Sequence, residues 1–248
     1  MLTSLTLRRN VSCVNIDFMT RDSTDRSSYH HGDLREALIR AAAAEIERGG
    51  YENLSLRELA ASLGVSRAAP YRHFADRRAL LAALAAKGFD ELTAIQRKAI
   101  ASEHTPQAQL AAAGRGYLAF AAEQPELFRL MFVSDLLSAA GGPPDPVLAH
   151  AAGESYQVLE RLVAATLDDP DDGAIKAATI ATMSTGYGFA LLRLGGRLKP
   201  FMYGGLTQTE LIDAVLSTKV TMLPRAAGRG RKASRQAKAR RHHSANKV

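Results

Sequence analysis

The residues best placed to do chemistry lie in one short stretch. Arg67, Tyr71, Arg72 and His73 follow Ser66, with Ala68 and Ala69 between them. Arg, His and Tyr at this density are hydrogen-bond donors suited to base edges and phosphates. The two methyl side chains allow close approach to a groove or contact with a thymine methyl. Other clusters fail on spacing. His30, His31 and Asp33 crowd together at a helix start and do not converge on one ion, and helix capping accounts for Asp33. The acidic run Asp168–Gly173 has Pro170 at its third position and no Glu twelve along, so it is no calcium loop. Cys13 is the single cysteine, which excludes a disulfide framework and a Cys-based zinc site. No nucleophile–base pairing and no Gly-rich phosphate loop occurs, so neither an enzyme nor a cofactor or metal is expected.

The elements that must hold these donors are helical. Ala, Leu, Glu and Arg dominate residues 30–224, and no sustained period-two alternation interrupts them. Asp33 with Glu36 reads as a capping box for a helix from Leu34 to Gly49, with Leu38, Ala42 and Ile46 on its inner face. Ser55 with Glu58 caps a second helix, whose stripe is Leu56, Leu59, Ala60 and Leu63. Gly64 reverses the chain, Val65 plugs the turn, and Ser66 caps a third helix to about His73. Asp76 caps a fourth helix bearing Leu80, Leu81, Leu84 and Phe89. Further helices are expected over Gln107–Glu123, from Pro125 to Phe132, Val147–Leu167, Ala174–Leu194 and Leu211–Met222, the last with a Thr207–Glu210 capping box. The fold class is therefore all-α, with about nine helices. Two short helices around Leu63-Gly64-Val65-Ser66 have the form of a helix-turn-helix.

The charge is unevenly placed. Of a formal net charge of +7 in 248 residues, the final segment 225–248 holds nine basic residues and no acidic one. It has no Leu, Ile or Phe and is expected to be a disordered basic tail. His242 and His243 read as polar members of it. The tail is either simply solvated or an arm adding sequence-independent phosphate contacts. Segment 1–28 is expected to be a disordered arm. Residues 1–17 lack the apolar core of a signal peptide, and Met19 is an alternative initiator. No apolar run reaches the length of a membrane span.

Residues 29–80 closely resemble the N-terminal domain of the TetR family of bacterial transcriptional repressors. The resemblance rests on Ser55-Leu56-Arg57-Glu58-Leu59-Ala60, Leu63-Gly64-Val65-Ser66, Tyr71-Arg72-His73-Phe74 and Asp76-Arg77-Arg78-Ala79-Leu80. The opening Tyr29-His30-His31-Gly32-Asp33-Leu34-Arg35 resembles a subset of the family. The resemblance implies DNA contact by Ser55, Arg57, Ser66, Arg67, Ala68, Ala69, Tyr71, Arg72, His73 and Arg77. Tyr71, His73 and Arg77 match phosphate-gripping positions, and Arg67, Ala68 and Ala69 match the variable base readers. Pro70 departs from the more usual Leu and forfeits a helical N–H, which puts the geometry of the third helix in question. Arg78 is expected to face solvent.

The resemblance further implies a helix-turn-helix domain at 29–80 and a helical dimerisation and ligand-binding domain at 81–224. Gly116–Phe132 resembles a C-terminal subgroup marked by Trp-x-x-x-His-Gly, although Met183-Ser184-Thr185-Gly186-Tyr187-Gly188 keeps only its last Gly. Small residues along Ala174–Leu194 suit a homodimer built with Leu211–Met222. Tyr117, Phe120, Phe128, Met131, Phe132, Met183 and Tyr187 are candidate pocket residues, with Phe189 beside them, and each could equally be core. The expected partners are a double-stranded DNA operator, a second copy and a small hydrophobic or amphipathic effector. The expected location is the cytoplasm, on the nucleoid when DNA-bound. The rival reading is a nonspecific nucleoid protein driven by the tail.

Overall fold

The computed structural model describes residues 31–138 and 142–221. The expected arm at 1–28, the alternative start at Met19, His30 and the basic tail at 225–248 lie outside the described residues. Among those described there are nine α-helices, two 3-10 turns and no strand. The helices are α1 (His31–Gly49), α2 (Leu56–Ser62), α3 (Arg77–Ile100), α4 (Pro106–Glu123), α5 (Pro125–Phe132), α6 (Pro146–Ala164), α7 (Asp172–Leu194), α8 (Pro200–Tyr203) and α9 (Gln208–Thr221). The 3-10 turns are Tyr51–Asn53 and Pro70–Arg72.

Most boundaries follow from capping. Ser55 Oγ accepts the Glu58 N–H at 3.4 Å, and Asp76 Oδ1 accepts the Ala79 N–H at 2.8 Å. Thr105, Asp145 and Asp171 cap α4, α6 and α7 in the same way. At α9 the box closes in both directions: Thr207 Oγ1 accepts from Glu210 N–H, and Glu210 Oε2 accepts from Thr207 N–H. Asp33 departs from expectation. Helix α1 already includes His31, so Asp33 lies inside it rather than ahead of it.

The third predicted helix is also corrected. Residues 66–73 form a turn followed by the 3-10 turn Pro70–Arg72, entered from Ala69 with no side-chain cap. The cause is Pro70. An α-helix would need its N–H to donate to Ser66, and it has none. The Ser66 carbonyl instead accepts from Ala69 N–H at 2.9 Å, and Pro70 accepts from His73 and Phe74 at 3.0 Å each. The α8 turn, which no periodicity announced, brings the helix count back to nine.

Helix α3, 24 residues and so roughly 36 Å long, is the strut of the molecule. It packs on α1, α4, α5 and α6. Leu38, Ile46, Leu59, Phe74, Leu80, Phe89, Phe120, Phe128 and Leu148 belong to one continuous core that runs from the helix-turn-helix end into the body. The expected boundary at residues 80–81 falls within α3, so the two parts share a helix. Gly88 lets α5 seat against this strut: a Cβ there would stand 2.5 Å from Met131 Sδ. No helix is long and apolar enough to cross a membrane among the described residues.

Candidate nucleic-acid interface and ligand cavity

The turn after α2 is a Schellman motif. Val65 N–H donates to the Ala60 carbonyl at 3.0 Å and Gly64 N–H to Ala61 at 3.1 Å, with Gly64 at φ +67°. That closed turn fixes where the next segment leaves. Pro70 and Phe74, both buried, pin its far end into the core. Arg35 of α1 lies over the Phe74 ring at 5.2 Å from its centroid.

Between those anchors the segment turns outward. Ser66, Arg67, Ala68, Tyr71 and Arg72 are exposed, as is Arg57 on α2. Tyr71 is 48% exposed, so it is no core aromatic. Ala69 and His73 are half-buried at the same surface. Two of the ten expected contact residues are committed elsewhere. The Ser55 hydroxyl is occupied in capping α2. Arg77 donates to the Tyr51 carbonyl, and its Nε is buried without a partner. This guanidinium locks the Tyr51–Asn53 turn to the start of α3, which lowers what it can offer a phosphate.

Arg78 is corrected as well. It does not simply face solvent: it bonds Asp135 Oδ1 at 3.0 Å and the Asp135 carbonyl at 3.2 Å. A second tie was missed altogether. Glu47, in the last turn of α1, accepts the Leu127 N–H at 2.9 Å and stands 3.4 Å from the Glu126 N–H. Neither tie leaves a sequence signal, because each joins residues more than fifty positions apart.

The body holds a cavity of about 370 Å³ between α3, α4, α6 and α7. That is at the small end of the ~300–1,000 Å³ typical of small-molecule sites. Of the candidate pocket residues, Tyr117, Phe132, Met183 and Tyr187 line it. Phe120, Phe128 and Met131 do not. They are buried in the core behind it, where Phe128 packs edge-on against Tyr117 and Met131 fills the space over Gly88. Phe189 lies at a smaller, separate pocket. Phe89, Gln96, Ser155, Tyr156, Ile180 and Thr182 are lining residues that sequence reasoning missed. Phe89 stacks edge-on against Phe132, with centroids 5.2 Å apart. Burial pushes the Tyr117 hydroxyl's pKa far above the usual tyrosine value, with nearby Tyr187 adding to it.

Beside the cavity, α7 presents an exposed face. Ala177, Ile180, Ala181, Ser184, Thr185 and Leu192 lie on it, a mixture of apolar side chains and two small hydroxyl ones. Among the described residues no cluster of His, Cys, Asp or Glu is arranged to hold a metal ion.

Comparison with known proteins agrees with this geometry. Residues 38–84 match bacterial regulatory proteins of the tetR family, and residues 110–218 match the tetracyclin repressor-like C-terminal domain. That second description does not name the Trp-x-x-x-His-Gly subgroup. A protein with unknown function from Rhodococcus sp. RHA1 is 34% identical, with a TM-score of 0.64. The likeness covers 79% of this chain and 96% of that one. A tetR-family bacterial regulatory protein from Rhodococcus RHA1 (23% identity, TM-score 0.53) shares the fold over 81% of this chain and 100% of its own. The TetR family transcriptional regulator PfmR from Thermus thermophilus does so at 19% identity and TM-score 0.52, over 76% and 99%. No match is found among the curated proteins. With a helix-turn-helix that exposes donors, a helical body and both family domains matched in order, the chain belongs to the TetR family of DNA-binding transcriptional regulators.

Proposed function

We propose that this regulator is a homodimeric, sequence-specific repressor, released from a near-palindromic operator by a small, largely hydrophobic effector. The observation that carries the reading is the outward set Arg67, Tyr71 and Arg72, held on a segment pinned at both ends, together with Arg57 exposed on α2. Exposed donors on a rigid turn suit direct readout in a major groove. Arg67 and Ala68 are the base readers in this proposal. Ser66, Tyr71, Arg72 and His73 hold phosphates, with Arg57 reaching a base or phosphate from α2. Ser55 and Arg77 act mainly by positioning.

Residues 29–80 serve as the reading head and residues 81–224 as the dimerisation and effector body. The exposed face of α7, with α9 beside it, is the surface a second copy covers in a four-helix arrangement. Two heads then meet operator half-sites about one helical turn apart, roughly 34–36 Å. An effector in the 370 Å³ cavity that prefers a different head spacing shifts the population away from the operator-bound state. Its place of action is the cytoplasm, and it carries no enzymatic activity.

Selection of binding sites from random duplexes tests the reading, with the full chain and with a chain lacking residues 225–248. A palindromic preference that survives the deletion, with a shallower salt dependence, supports it. Equal binding to all duplexes after deletion refutes it in favour of a nonspecific nucleoid protein.

A further inference from the structure

The chemistry of the cavity is narrower than its apolar character alone. No Asp, Glu, Lys, Arg or His lines it. A charged ligand would lose its hydration there and meet no counter-charge. The raised pKa of the Tyr117 hydroxyl reports the same hostility to an anion.

Its polar side chains are few. Four buried side-chain polar atoms lack a hydrogen-bond partner among the described residues, and two of them, Gln96 Oε1 and Thr182 Oγ1, belong to lining residues. Gln96 is 6% exposed and Thr182 is 2% exposed. Thr182 stands out on its own helix. The α7 hydroxyls of Thr179, Ser184 and Thr185 each donate to the carbonyl one turn back, at 2.8–2.9 Å. Thr182 makes no such bond, although it is as deeply set as Thr179. Buried polar atoms left unpaired are costly, and natural proteins keep few of them. Gln96 Oε1 accepts only, so a ketone or ester oxygen cannot satisfy it. A hydroxyl can, and it can also either donate to or accept from Thr182.

Resting on the reading above that this cavity takes the effector, we infer that the ligand is uncharged, mostly hydrocarbon, and carries hydroxyl-type donors for Gln96 and Thr182. Its hydrocarbon packs against Phe89, Leu92, Phe132 and Leu159.

Three probes of one shape test this on the full chain by calorimetric titration near neutral pH: 4-propylphenol, propylbenzene and 4-propylbenzoate. The phenol binds about five- to tenfold more tightly than propylbenzene, and the benzoate binds least. Gln96→Met and Thr182→Val each remove most of the phenol's advantage over propylbenzene. Propylbenzene binding as tightly as the phenol, or the benzoate binding best, overturns the inference but leaves an effector cavity in place. Binding by none of the three overturns the cavity reading itself. Should a variant fail to fold, the three-probe comparison on the unaltered chain still decides.

Discussion

Glu47→Ala isolates the tie between the reading head and the body. Helix α5 is preceded by Gln124, whose side chain makes no cap, so its first N–H groups need an outside acceptor. Glu47 supplies it from α1 with one good bond, to Leu127 N–H at 2.9 Å, and one marginal contact, to Glu126 N–H at 3.4 Å. Losing a cap costs about 0.5–2 kcal/mol. A carboxylate at an exposed helix N-terminus adds about 0.3–1 kcal/mol through the dipole. Glu47 is exposed and only one bond is short, which points to the lower half of that span, about 1 kcal/mol. For a chain of this size that lowers the melting temperature by about 2–4 °C. Glu47→Gln keeps an oxygen acceptor and loses the charge, so it falls roughly half as far, and its deficit shrinks in high salt. Calorimetric melts of the three proteins at low and high salt measure this. An unchanged melting temperature for Glu47→Ala refutes the reasoning, and so does a Glu47→Gln deficit that ignores salt.

Three further outcomes are expected. Arg67→Ala loses about 1–3 kcal/mol of discrimination at a single base pair in binding to variant operators, and uniform weakening across all sequences would assign Arg67 to a phosphate. Gly64→Ala costs about 1–2 kcal/mol in denaturant unfolding through backbone strain alone, because a Cβ there meets nothing within 4 Å. Gly64→Asn costs less, and equal losses would refute the left-handed turn. The Glu210 carboxyl is held below its ordinary pKa by the Thr207 N–H and hydroxyl. Its stabilising effect is therefore full above the ordinary carboxylate pKa and is lost as pH falls through the lowered native value. The stability curves of the native chain and Glu210→Gln should converge in acid, and a constant gap would exclude the box as the source.

The parts of the fold written in local spacing were legible in the sequence. Ser55–Glu58, Asp76 and Thr207–Glu210 announce helix starts, because a cap oxygen and the N–H that donates to it lie three residues apart. The Leu56, Leu59, Ala60 stripe announces a buried face for the same reason. The candidate interface was legible as a set of residues and misread as a helix. Ser66 looked like a cap, but a cap cannot outweigh the N–H that Pro70 lacks. The cavity was half legible. An aromatic list cannot separate Phe132, at the cavity wall, from Phe128, behind it, since both are apolar and on one helix. Gln96 and Thr182 were invisible because their meaning lies in what they fail to bond, and that depends on α3 and α7 packing in space.

Helix α5 ties these findings together mechanically. Its N-terminus is held by Glu47 of α1, and Asp135, just past its C-terminus, is held by Arg78 of α3. Its inner face is seated by Leu127 and Met131 over Gly88, where a methyl group on the strut would stand 2.5 Å from Met131 Sδ. Its last residue, Phe132, stands at the cavity wall against Phe89 and Tyr117. Close-packed contacts of this kind switch between discrete arrangements rather than bending smoothly. In the proposed mechanism a ligand that moves α5 by way of Phe132 either breaks a named bond at one end of α5 or carries α1 and α3 along with it. Those two helices support the turn that presents Arg67 and Tyr71, so in the proposed release a shift of α5 at the cavity reaches the reading segment only while the Glu47 and Arg78 ties hold.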